Sequence, residues 1–304
     1  MSRSRHLLPT ILGVAGLLDE SPTTRGPLRA FLETRGVVGG HAAPHVDVAV
    51  PARDGTRLVG TWLPGPDAAA PAVVLAHGFA AHRRKPAYAR LADHLSSSAH
   101  VLAIDLRGHG HSGGHTTLGD REALDVDGAV RWLRDRGHDH VVAIGASMGA
   151  TSVLHAVAAG TEVDAAVTIS APARLEEHPA TEAMQRLKRH WESPMSRFGM
   201  RVGIGVRVVH PRRWVHPGHP REFAADVAGP LLVVHGEDDA YFPMADAEAI
   251  AAAAPRATLW REPAGFGHAE DGFTPAFAAR LAAAVSHVAR AGDFPDRDEA
   301  GGPT

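Results

Sequence analysis

A serine between two glycines is the feature of this chain best suited to chemistry, since residues 145–149 read Gly-Ala-Ser-Met-Gly. An apolar run that predicts a buried strand precedes it, and an apolar run that predicts a helix follows it. On so tight a strand-to-helix turn the backbone of Ser147 is strained, and its hydroxyl projects above the sheet as a nucleophile. Gly145 and Gly149 are expected because strand and helix approach too closely there for larger side chains.

A serine nucleophile needs a base and an acid, and candidates for both follow later predicted strands. His268 lies on a glycine-flanked loop before the last predicted helix. The candidate acids are Glu237, Asp238 and Asp239. Among them the spacing to Pro243 favours Asp239, with Asp238 as the alternative. Since parallel strands end at one edge of a sheet, we expect the histidine to take the serine proton and the acid to fix its tautomer.

Two backbone N–H groups are candidates for holding the negative charge that develops on an attacked carbonyl. The stretch His77-Gly78-Phe79 follows the apolar run 72–76. The N–H of Phe79 in this loop and the N–H of Met148, directly after the serine, form the predicted oxyanion hole. His77 is expected to hold the loop by hydrogen bonds rather than to transfer a proton.

Three histidines close together, His109, His111 and His115, raise the alternative of a metal site. A carboxylate at ligand spacing is absent from this pattern, so we interpret the loop as structural. In this interpretation Asp105 and Arg107 pair with each other and the glycines make turns. We therefore predict no metal and no organic cofactor.

The elements that must position these residues are predicted by alternating apolar runs and helical stretches. The predicted strands are residues 45–50, 57–63, 72–76, 101–104, 141–144, 165–169, 231–234 and 257–260. The predicted helices are residues 120–136, 148–159, 180–192, 244–254 and one closing helix around 277–288. Such alternation predicts an α/β fold, with a mostly parallel eight-stranded sheet covered by helices on both faces.

The chain divides into three predicted segments, the second of which contains an insertion. Residues 1–44 are expected to form a leader helix and a linker, and residues 45–290 the α/β domain. Within that domain, residues 171–229 break the alternation. Because an insertion of this length between two strands usually has a function, we interpret it as a cap over one edge of the sheet. Residues 291–304 are predicted to be a polar tail, in which residues 293–304 are disordered.

Composition excludes several classes of protein. The 304 residues contain no cysteine, which excludes disulfides and thiolate chemistry. The formal charge of −3 argues against a nucleic-acid partner, and no run reaches the roughly 20 apolar residues of a membrane helix. Arg3 and Arg5 precede the apolar run 7–18, as in a secretory signal, but Pro9 interrupts the run and no small-residue cleavage site follows. A cytoplasmic location is therefore expected, with secretion as the less favoured alternative. The oligomeric state stays open.

Together these motifs resemble those of the α/β-hydrolase family, in particular its capped serine esterase and lipase branch. The resemblance covers residues 45–290, and it rests on residues 77–79, 105–112, 145–149, 236–239 with Pro243, and 267–268. It implies a Ser147, Asp239, His268 triad in the Ser…Asp…His order of that family. The implied reaction is hydrolysis of a small-molecule carboxylic ester through an acyl-enzyme, without a cofactor.

Other activities of the same fold stay open to different degrees. Haloalkane dehalogenases and epoxide hydrolases of this family use an aspartate nucleophile, so Ser147 argues against both. Thioesterases, amidases and cofactor-free haloperoxidases use similar machinery. A non-catalytic binding protein on this fold would usually lack a triad member, and none is missing here.

The predicted cap carries one hint about substrate. Residues 171–229 contain ten basic and six acidic residues, an excess of four. A basic rim would attract anionic substrates such as carboxylated esters or acyl-CoA thioesters, but a solvated cationic surface explains the excess as well. Four aromatic residues could line an acyl pocket or simply pack the cap onto the sheet: Trp191, Phe198, Trp214 and Phe223.

Overall fold

A computed structural model describes residues 40–175 and 181–300, and an eight-stranded sheet forms its centre. The strands, in chain order, are β1 Val46–Pro51, β2 Arg57–Leu63, β3 Ala72–Ala76, β4 His100–Asp105, β5 Val141–Ala146, β6 Ala165–Ile169, β7 Leu231–Gly236 and β8 Ala257–Glu262. Their order across the sheet is β1-β2-β4-β3-β5-β6-β7-β8. The first two pairings, β1 with β2 and β2 with β4, are antiparallel and the others are parallel. The predicted fold class is confirmed.

The central strands are buried on both faces, which explains their unbroken apolar sequences. All residues of β3, β5 and β6 are buried. In the register, Ala76 lies beside Gly145, and Ile169 lies beside Val234. The carboxyl ends of these strands therefore lie at the same edge of the sheet, and the loops that follow them meet there.

Helices cover both faces of the sheet. They are α1 Pro86–Leu95, α2 Glu122–Arg134, α3 Met148–Ala158, α4 Glu182–Glu192, α5 Pro194–Gly203, α6 Pro220–Ala225, α7 Met244–Ala253 and α8 Pro275–Ala291. Apolar side chains of α1 and α8 pack on one face, and those of α2, α3, α6 and α7 on the other. Among the described residues, no helix has the length and apolar content that crossing a bilayer requires.

Helix α1 is absent from the sequence predictions. It buries Tyr88, Leu91, Ala92 and Leu95, which have the spacing of one helix face, and Pro86 occupies its first turn. Proline is favoured at that position because its missing N–H has no partner in a helix anyway. Both signals are present in the sequence, so this element could have been predicted.

The insertion between β6 and β7 contains α4, α5, a short 3₁₀ turn at Pro211–Arg213, and α6. Helix α6 packs against α3 and α7, and its Ala224 is fully buried in the layer on the sheet. The end of the predicted cap thus belongs to the helix layer of the domain. The interpretation of the preceding part as a cap stays a prediction, and residues 176–180 lie outside the described residues.

The predicted disorder of the tail is wrong for residues 293–300. Phe294 and Ala300 are buried in the core cluster, and the indole N–H of Trp260 donates to the Pro295 carbonyl oxygen at 3.0 Å. Arg297 binds the buried carboxylate of Glu262 at 3.2 Å. The segment is polar overall, and this is why its sequence predicts disorder. It nevertheless contains one apolar residue that packs in the core, Phe294, and one cation that pairs with the buried Glu262, Arg297. Residues 301–304 lie outside the described residues.

The predicted leader helix in residues 1–44 lies almost wholly outside the described residues, which begin at 40. The last part of the predicted linker contacts the domain. The N–H groups of Ala42 and Ala43 donate to the Asp93 carboxylate of α1 at 2.8 and 3.3 Å. These bonds attach the start of β1 to the helix layer.

Candidate active site

Ser147 lies between β5 and α3 in a backbone conformation that side-chain-bearing residues rarely adopt, with φ 52° and ψ −115°. A Cβ atom on Gly145 would lie 2.3 Å from the Gly149 carbonyl oxygen, and one on Gly149 would lie 2.4 Å from the Ala76 carbonyl oxygen. Only glycine fits at either position. The Ser147 N–H donates to the Ile169 carbonyl oxygen at 2.8 Å, which fixes the strained turn to β6.

The three residues predicted as a triad are connected by two hydrogen bonds. Nε2 of His268 lies 3.0 Å from Oγ of Ser147, and Nδ1 lies 2.8 Å from Oδ2 of Asp239. An ionised carboxylate only accepts hydrogen bonds, so Nδ1 carries the ring proton and Nε2 is free to accept from the serine hydroxyl. This arrangement can transfer the proton of the hydroxyl to the histidine when the oxygen attacks an electrophile.

Asp239 is held by groups that favour its ionised form. Its Oδ1 accepts from the N–H groups of Tyr241 at 2.8 Å and Phe242 at 3.1 Å. Burial alone raises the pKa of Asp239, but the bond from His268 and the amide of Phe242 outweigh burial and keep the pKa below its ordinary value. The ring of Tyr241 lies 4.4 Å from that of His268, between centroids, and limits its movement.

The competing carboxylate, Asp238, has a different partner. It accepts from the backbone N–H groups of Gly265 at 2.7 Å and Gly267 at 2.9 Å, on the loop that leads to His268. These two hydrogen bonds lower its pKa. Asp238 therefore binds the backbone of the histidine loop, whereas Asp239 binds the ring. Glu237 is exposed.

The loop after β3 lies against the serine. A Cβ atom on Gly78 would lie 3.4 Å from Cβ of Ser147. Within residues 40–175 and 181–300, the N–H groups of Phe79 and Met148 make no hydrogen bond. These two amides, which flank the serine in space and in sequence, are free to donate to an oxygen beside Ser147.

The backbone N–H groups on both sides of Phe79 form hydrogen bonds, whereas the N–H of Phe79 itself forms none within the described residues. The Gly78 N–H donates to the hydroxyl oxygen of Tyr88 at 2.9 Å, and the Ala80 N–H donates to Nε2 of His109 at 3.1 Å. The ring of His77 bonds the Gly78 carbonyl oxygen at 2.7 Å. That carbonyl and the Phe79 N–H belong to one peptide unit, so His77 sets the direction of the N–H.

Two buried histidines hold this loop as neutral rings. The Leu106 N–H donates to Nε2 of His77 at 3.0 Å, so Nδ1 carries the proton that His77 donates to Gly78. Burial lowers the pKa values of both His77 and His109. Both rings are thus committed to backbone groups and act on the loop rather than on a substrate.

The loop after β4 is built from buried ion pairs, but the predicted pairing of its two charged residues is wrong. Asp105 accepts from the backbone N–H and the guanidinium of Arg83. Arg107 binds Asp125 at 2.6 Å and Asp54 at 2.9 Å. Neighbours on the turn reach to different elements, because their side chains leave it in different directions. No cluster of three ionisable side chains in the described part of the chain is placed to hold a metal ion.

The insertion contributes an apolar wall beside the oxyanion loop. Met200, Ile204 and Val206 are buried against Ala80 and the half-buried Phe79. Met200 and Ile204 are four residues apart, the spacing of one helix face, and that was the signal available in the sequence. The insertion also contacts the acid loop, because the Thr181 hydroxyl donates to the Tyr241 carbonyl oxygen at 2.8 Å.

Most of the aromatic residues of the insertion pack against other rings. Trp191 is buried and meets Trp214 edge-on, with centroids 6.3 Å apart. Phe223 stacks on His155 of α3 at 4.6 Å. Phe198 is 62% exposed. Packing, rather than the lining of an acyl pocket, therefore accounts for Trp191, Trp214 and Phe223. None of these contacts involves the triad.

Three arginines of the insertion surround one cavity of 190 Å³, which is lined by His115, Arg197, Phe198, Arg201, Arg207 and Val208. Arg197 donates to the Trp191 carbonyl oxygen at 2.8 Å and Arg207 to the Gly114 carbonyl oxygen at 3.0 Å. Among the described residues, none of the three arginines forms an ion pair. Their positive charge therefore has no carboxylate partner within the described residues.

Comparisons with known proteins agree with this architecture. A family model described as the alpha/beta hydrolase fold matches residues 71–198, a range that includes Phe79 and Ser147 but not Asp239 or His268. No curated protein sequence matches the chain.

Solved structures of several esterases are similar to this chain. An esterase from Pyrococcus furiosus has a TM-score of 0.62 and 23% identity, over 82% of this chain and 91% of that one. An esterase from a Rhodococcus species has a TM-score of 0.58 and 20% identity, over 79% and 98%. A thermophilic esterase from Thermogutta terrifontis has a TM-score of 0.59 and 21% identity, over 82% and 98%. The chain therefore has the α/β-hydrolase fold, and residues 71–198 match that family's model.

Proposed function

We propose that this protein hydrolyses carboxylic esters through a covalent acyl-enzyme on Ser147. The observation that supports this most is the unbroken series of hydrogen bonds from Asp239 through His268 to Ser147, beside two unengaged amides. A buried acid, a histidine and a strained serine in this relation have the roles of acid, base and nucleophile. The esterases of similar fold support the same reaction class.

The reaction proceeds in two halves. Nε2 of His268 takes the hydroxyl proton while Oγ of Ser147 bonds to the ester carbonyl carbon, and the carbonyl oxygen becomes an anion. The N–H groups of Phe79 and Met148 stabilise that oxyanion. When the tetrahedral intermediate collapses, the carbon–oxygen bond to the alcohol breaks and His268 gives its proton to the leaving oxygen. A water molecule then repeats these steps on the acyl-enzyme and releases the acid.

The test is hydrolysis of p-nitrophenyl esters from acetate to palmitate by the wild type and by Ser147→Ala. We expect turnover that the substitution abolishes, and a chain-length optimum that measures the acyl space beside Met200 and Ile204. Labelling by a fluorophosphonate provides an independent readout, since only an activated serine reacts. Wild-type protein that neither hydrolyses any ester nor takes the label would be a non-catalytic binding protein on a hydrolase fold.

A second candidate function is hydrolysis of anionic acyl substrates, including thioesters. Its support is the cavity on and beside α5, which is lined by three arginines that form no ion pair within the described residues. Met200 of the same helix belongs to the wall at Phe79. Uncompensated positive charge raises the local concentration of an anionic substrate. The cavity residue Arg201 is exposed, and its side chain makes no hydrogen bond within the described residues, so its removal disturbs the fewest other contacts.

The two candidates separate on paired substrates of equal length, one with a neutral acyl chain and one with a terminal carboxylate. For an anion-selective enzyme, Arg201→Ala lowers kcat/KM on the carboxylated substrate by about five- to tenfold at low salt and leaves the neutral one unchanged. Arg221→Ala, an exposed arginine of α6, is the matched control. Equal effects of the two substitutions would reject the anionic substrate class.

A further inference from the structure

Three side chains beneath the candidate site, Lys85, Tyr88 and Glu270, form a cluster that the reaction steps above do not use. The Lys85 ammonium and the Tyr88 hydroxyl both donate to the Glu270 carboxylate, at 2.9 and 2.8 Å. Tyr88 is 1% exposed, and the side chains of Lys85 and Glu270 are 15% and 18% exposed. Burial raises the pKa of Glu270, but the charge and hydrogen bond of Lys85 outweigh it and hold the pKa below its ordinary value.

This cluster joins the two loops on which the proposed chemistry depends. The Tyr88 hydroxyl oxygen accepts from the Gly78 N–H at 2.9 Å, one peptide before the unit that carries the Phe79 N–H. Glu270 lies two residues after His268, in the 3₁₀ turn Ala269–Gly272. A continuous series of hydrogen bonds therefore runs from the oxyanion loop, through Tyr88, to the loop of the base. Bonds in such a series polarise one another when the last acceptor is charged.

We propose that Lys85, Tyr88 and Glu270 are positioning residues that hold the oxyanion donor of Phe79 and the base His268 in one fixed relation. The inference rests on the proposed function. Neither loop belongs to a strand or an α-helix, so neither is fixed by a regular backbone ladder. A displacement of about 1 Å between such groups reduces the rate by about 10²-fold, because the reacting atoms lose their alignment.

The loop that carries His268 is also attached to Ser170, through a backbone turn that is strained. Ala269 adopts a positive φ of 51°, a strained conformation for a residue with a side chain. Its N–H donates to Oγ of Ser170 at 2.9 Å. Ser170 itself has φ 53°. A strained turn next to the base keeps its geometry only where neighbouring contacts determine it, and Glu270 supplies the contact on the side of the oxyanion loop.

The chain offers a matched control for a buried, ion-paired glutamate. Glu262 at the end of β8 is 3% exposed and binds Arg280 and Arg297 at 2.7 and 3.2 Å. Its carboxylate connects the strand to α8 and to residues 293–300. A substitution of Glu262 therefore reports the loss of a buried ion pair without disturbing the connection between the two loops.

The experiment compares Tyr88→Phe, Glu270→Gln and Glu262→Gln for kcat, KM and melting temperature on the best p-nitrophenyl ester. We expect Tyr88→Phe and Glu270→Gln each to lower kcat by about 30- to 100-fold with KM changed less than about threefold, since alignment in the transition state is lost. A trifluoromethyl ketone, to which Ser147 adds to form a stable oxyanion, should bind more weakly by a similar factor. Glu262→Gln should lower the melting temperature and keep kcat.

The double variant decides whether the residues act as one unit. A connected series predicts that Tyr88→Phe with Glu270→Gln loses little more activity than either alone. Wild-type kcat in both single variants, while Ser147→Ala is inactive, would overturn the positioning role and leave the proposed function standing. An inactive, unlabelled wild type would overturn both. If Glu270→Gln does not fold, Tyr88→Phe alone carries the test, because it keeps the ring that packs on Phe273 at 5.3 Å.

Discussion

Two regions at the same edge of the sheet contain the same residue types, aspartate and histidine. In one region the polar groups all bond to protein groups, and in the other some hydrogen-bond donors stay open. Asp105 at the end of β4 and Arg107 and His109 in the loop after it are all buried, and every one of them bonds to a protein group. The loops after β5, β7 and β8 bring together Ser147, Asp239 and His268. There the series of hydrogen bonds ends at a hydroxyl beside two amides that bond nothing within the described residues.

The difference between the two regions lies in where their hydrogen bonds end. In the loop after β4 the charges are neutralised by partners and the histidine serves backbone groups, so the arrangement stabilises the fold. In the candidate site the N–H groups of Phe79 and Met148 make no hydrogen bond within the described residues, so a substrate oxygen can accept from them. Residue type alone does not distinguish a structural aspartate from a functional one at a sheet edge. The group at which its series of hydrogen bonds ends does distinguish them.

The strongest test of this comparison replaces one histidine in each region by alanine. His268→Ala removes the base and should lower kcat/KM by about 10⁵-fold or more, because the serine then keeps its proton. His111→Ala removes an exposed ring of the loop after β4 and should leave kcat/KM within about twofold of the wild type. Steady-state hydrolysis of p-nitrophenyl butyrate measures both. Comparable losses in the two variants would contradict the assignment of the two regions.

Neighbouring aspartates sharpen the comparison within the site itself. Asp239→Asn should lower kcat by about 10⁴-fold, since an amide leaves the histidine in the wrong tautomer. Asp238→Asn changes only contacts to the backbone of the histidine loop and should lower kcat by less than about tenfold. The pair is matched in chemistry and differs by one position. An equal loss would mean that the spacing to Pro243 misled the choice of acid.

Breaking an ion pair in the loop after β4 should affect stability rather than chemistry. Arg107→Met leaves the fully buried Asp125 without its cation and should lower the free energy of unfolding by about 3–5 kcal/mol. The matched variant is Arg131→Met, whose exposed arginine binds Asp127 at 2.9 Å and should cost less than about 1 kcal/mol. Urea denaturation gives both values, and kcat measured on the folded protein should stay within about threefold. A collapse of kcat at unchanged stability would reverse this assignment.

The smallest expected effect is a pH-dependent one at Asp238. Its pKa is lower in the folded chain than in the unfolded one, because two backbone N–H groups bind the carboxylate. Its contribution is therefore present above about pH 4, the ordinary range of aspartate, and is lost as the pH falls through the folded pKa. Since the group is exposed, Asp238→Asn should cost about 0.5 kcal/mol or less at pH 7. Urea midpoints of variant and wild type should converge in acid; a constant gap would contradict the cause given.

Much of the sheet could be predicted from the sequence. The predicted bounds of β2, β3 and β6 coincide with those of the structure, because continuous or alternating apolar runs end there at turn residues. The serine turn could be predicted as well, since glycine at 145 and 149 has no substitute where strand and helix touch. These are local consequences of side-chain size and polarity.

Other features depended on partners far away in sequence. The partner of Asp105 is Arg83 and that of Arg107 is Asp125, and neither follows from the spacing on the loop. The ordered packing of residues 293–300 depends on Trp260 and Glu262. The cluster at Glu270 depends on Lys85 and Tyr88, 185 and 182 residues away along the chain. Contacts of this kind are chosen by the packing of whole elements, which short-range patterns do not encode.

The sequence by itself determined the order of the strands along the chain, the strained serine turn and the histidine that we propose as the base, because each is set by apolar runs and glycines within a few residues. Only the tertiary structure decided that the ring of His268 bonds Asp239 while its loop bonds Asp238, and that Phe79 keeps an open N–H. The physical reason is that hydrogen bonds form between atoms about 3 Å apart, and parallel strands bring such atoms together from loops more than a hundred residues apart in the chain.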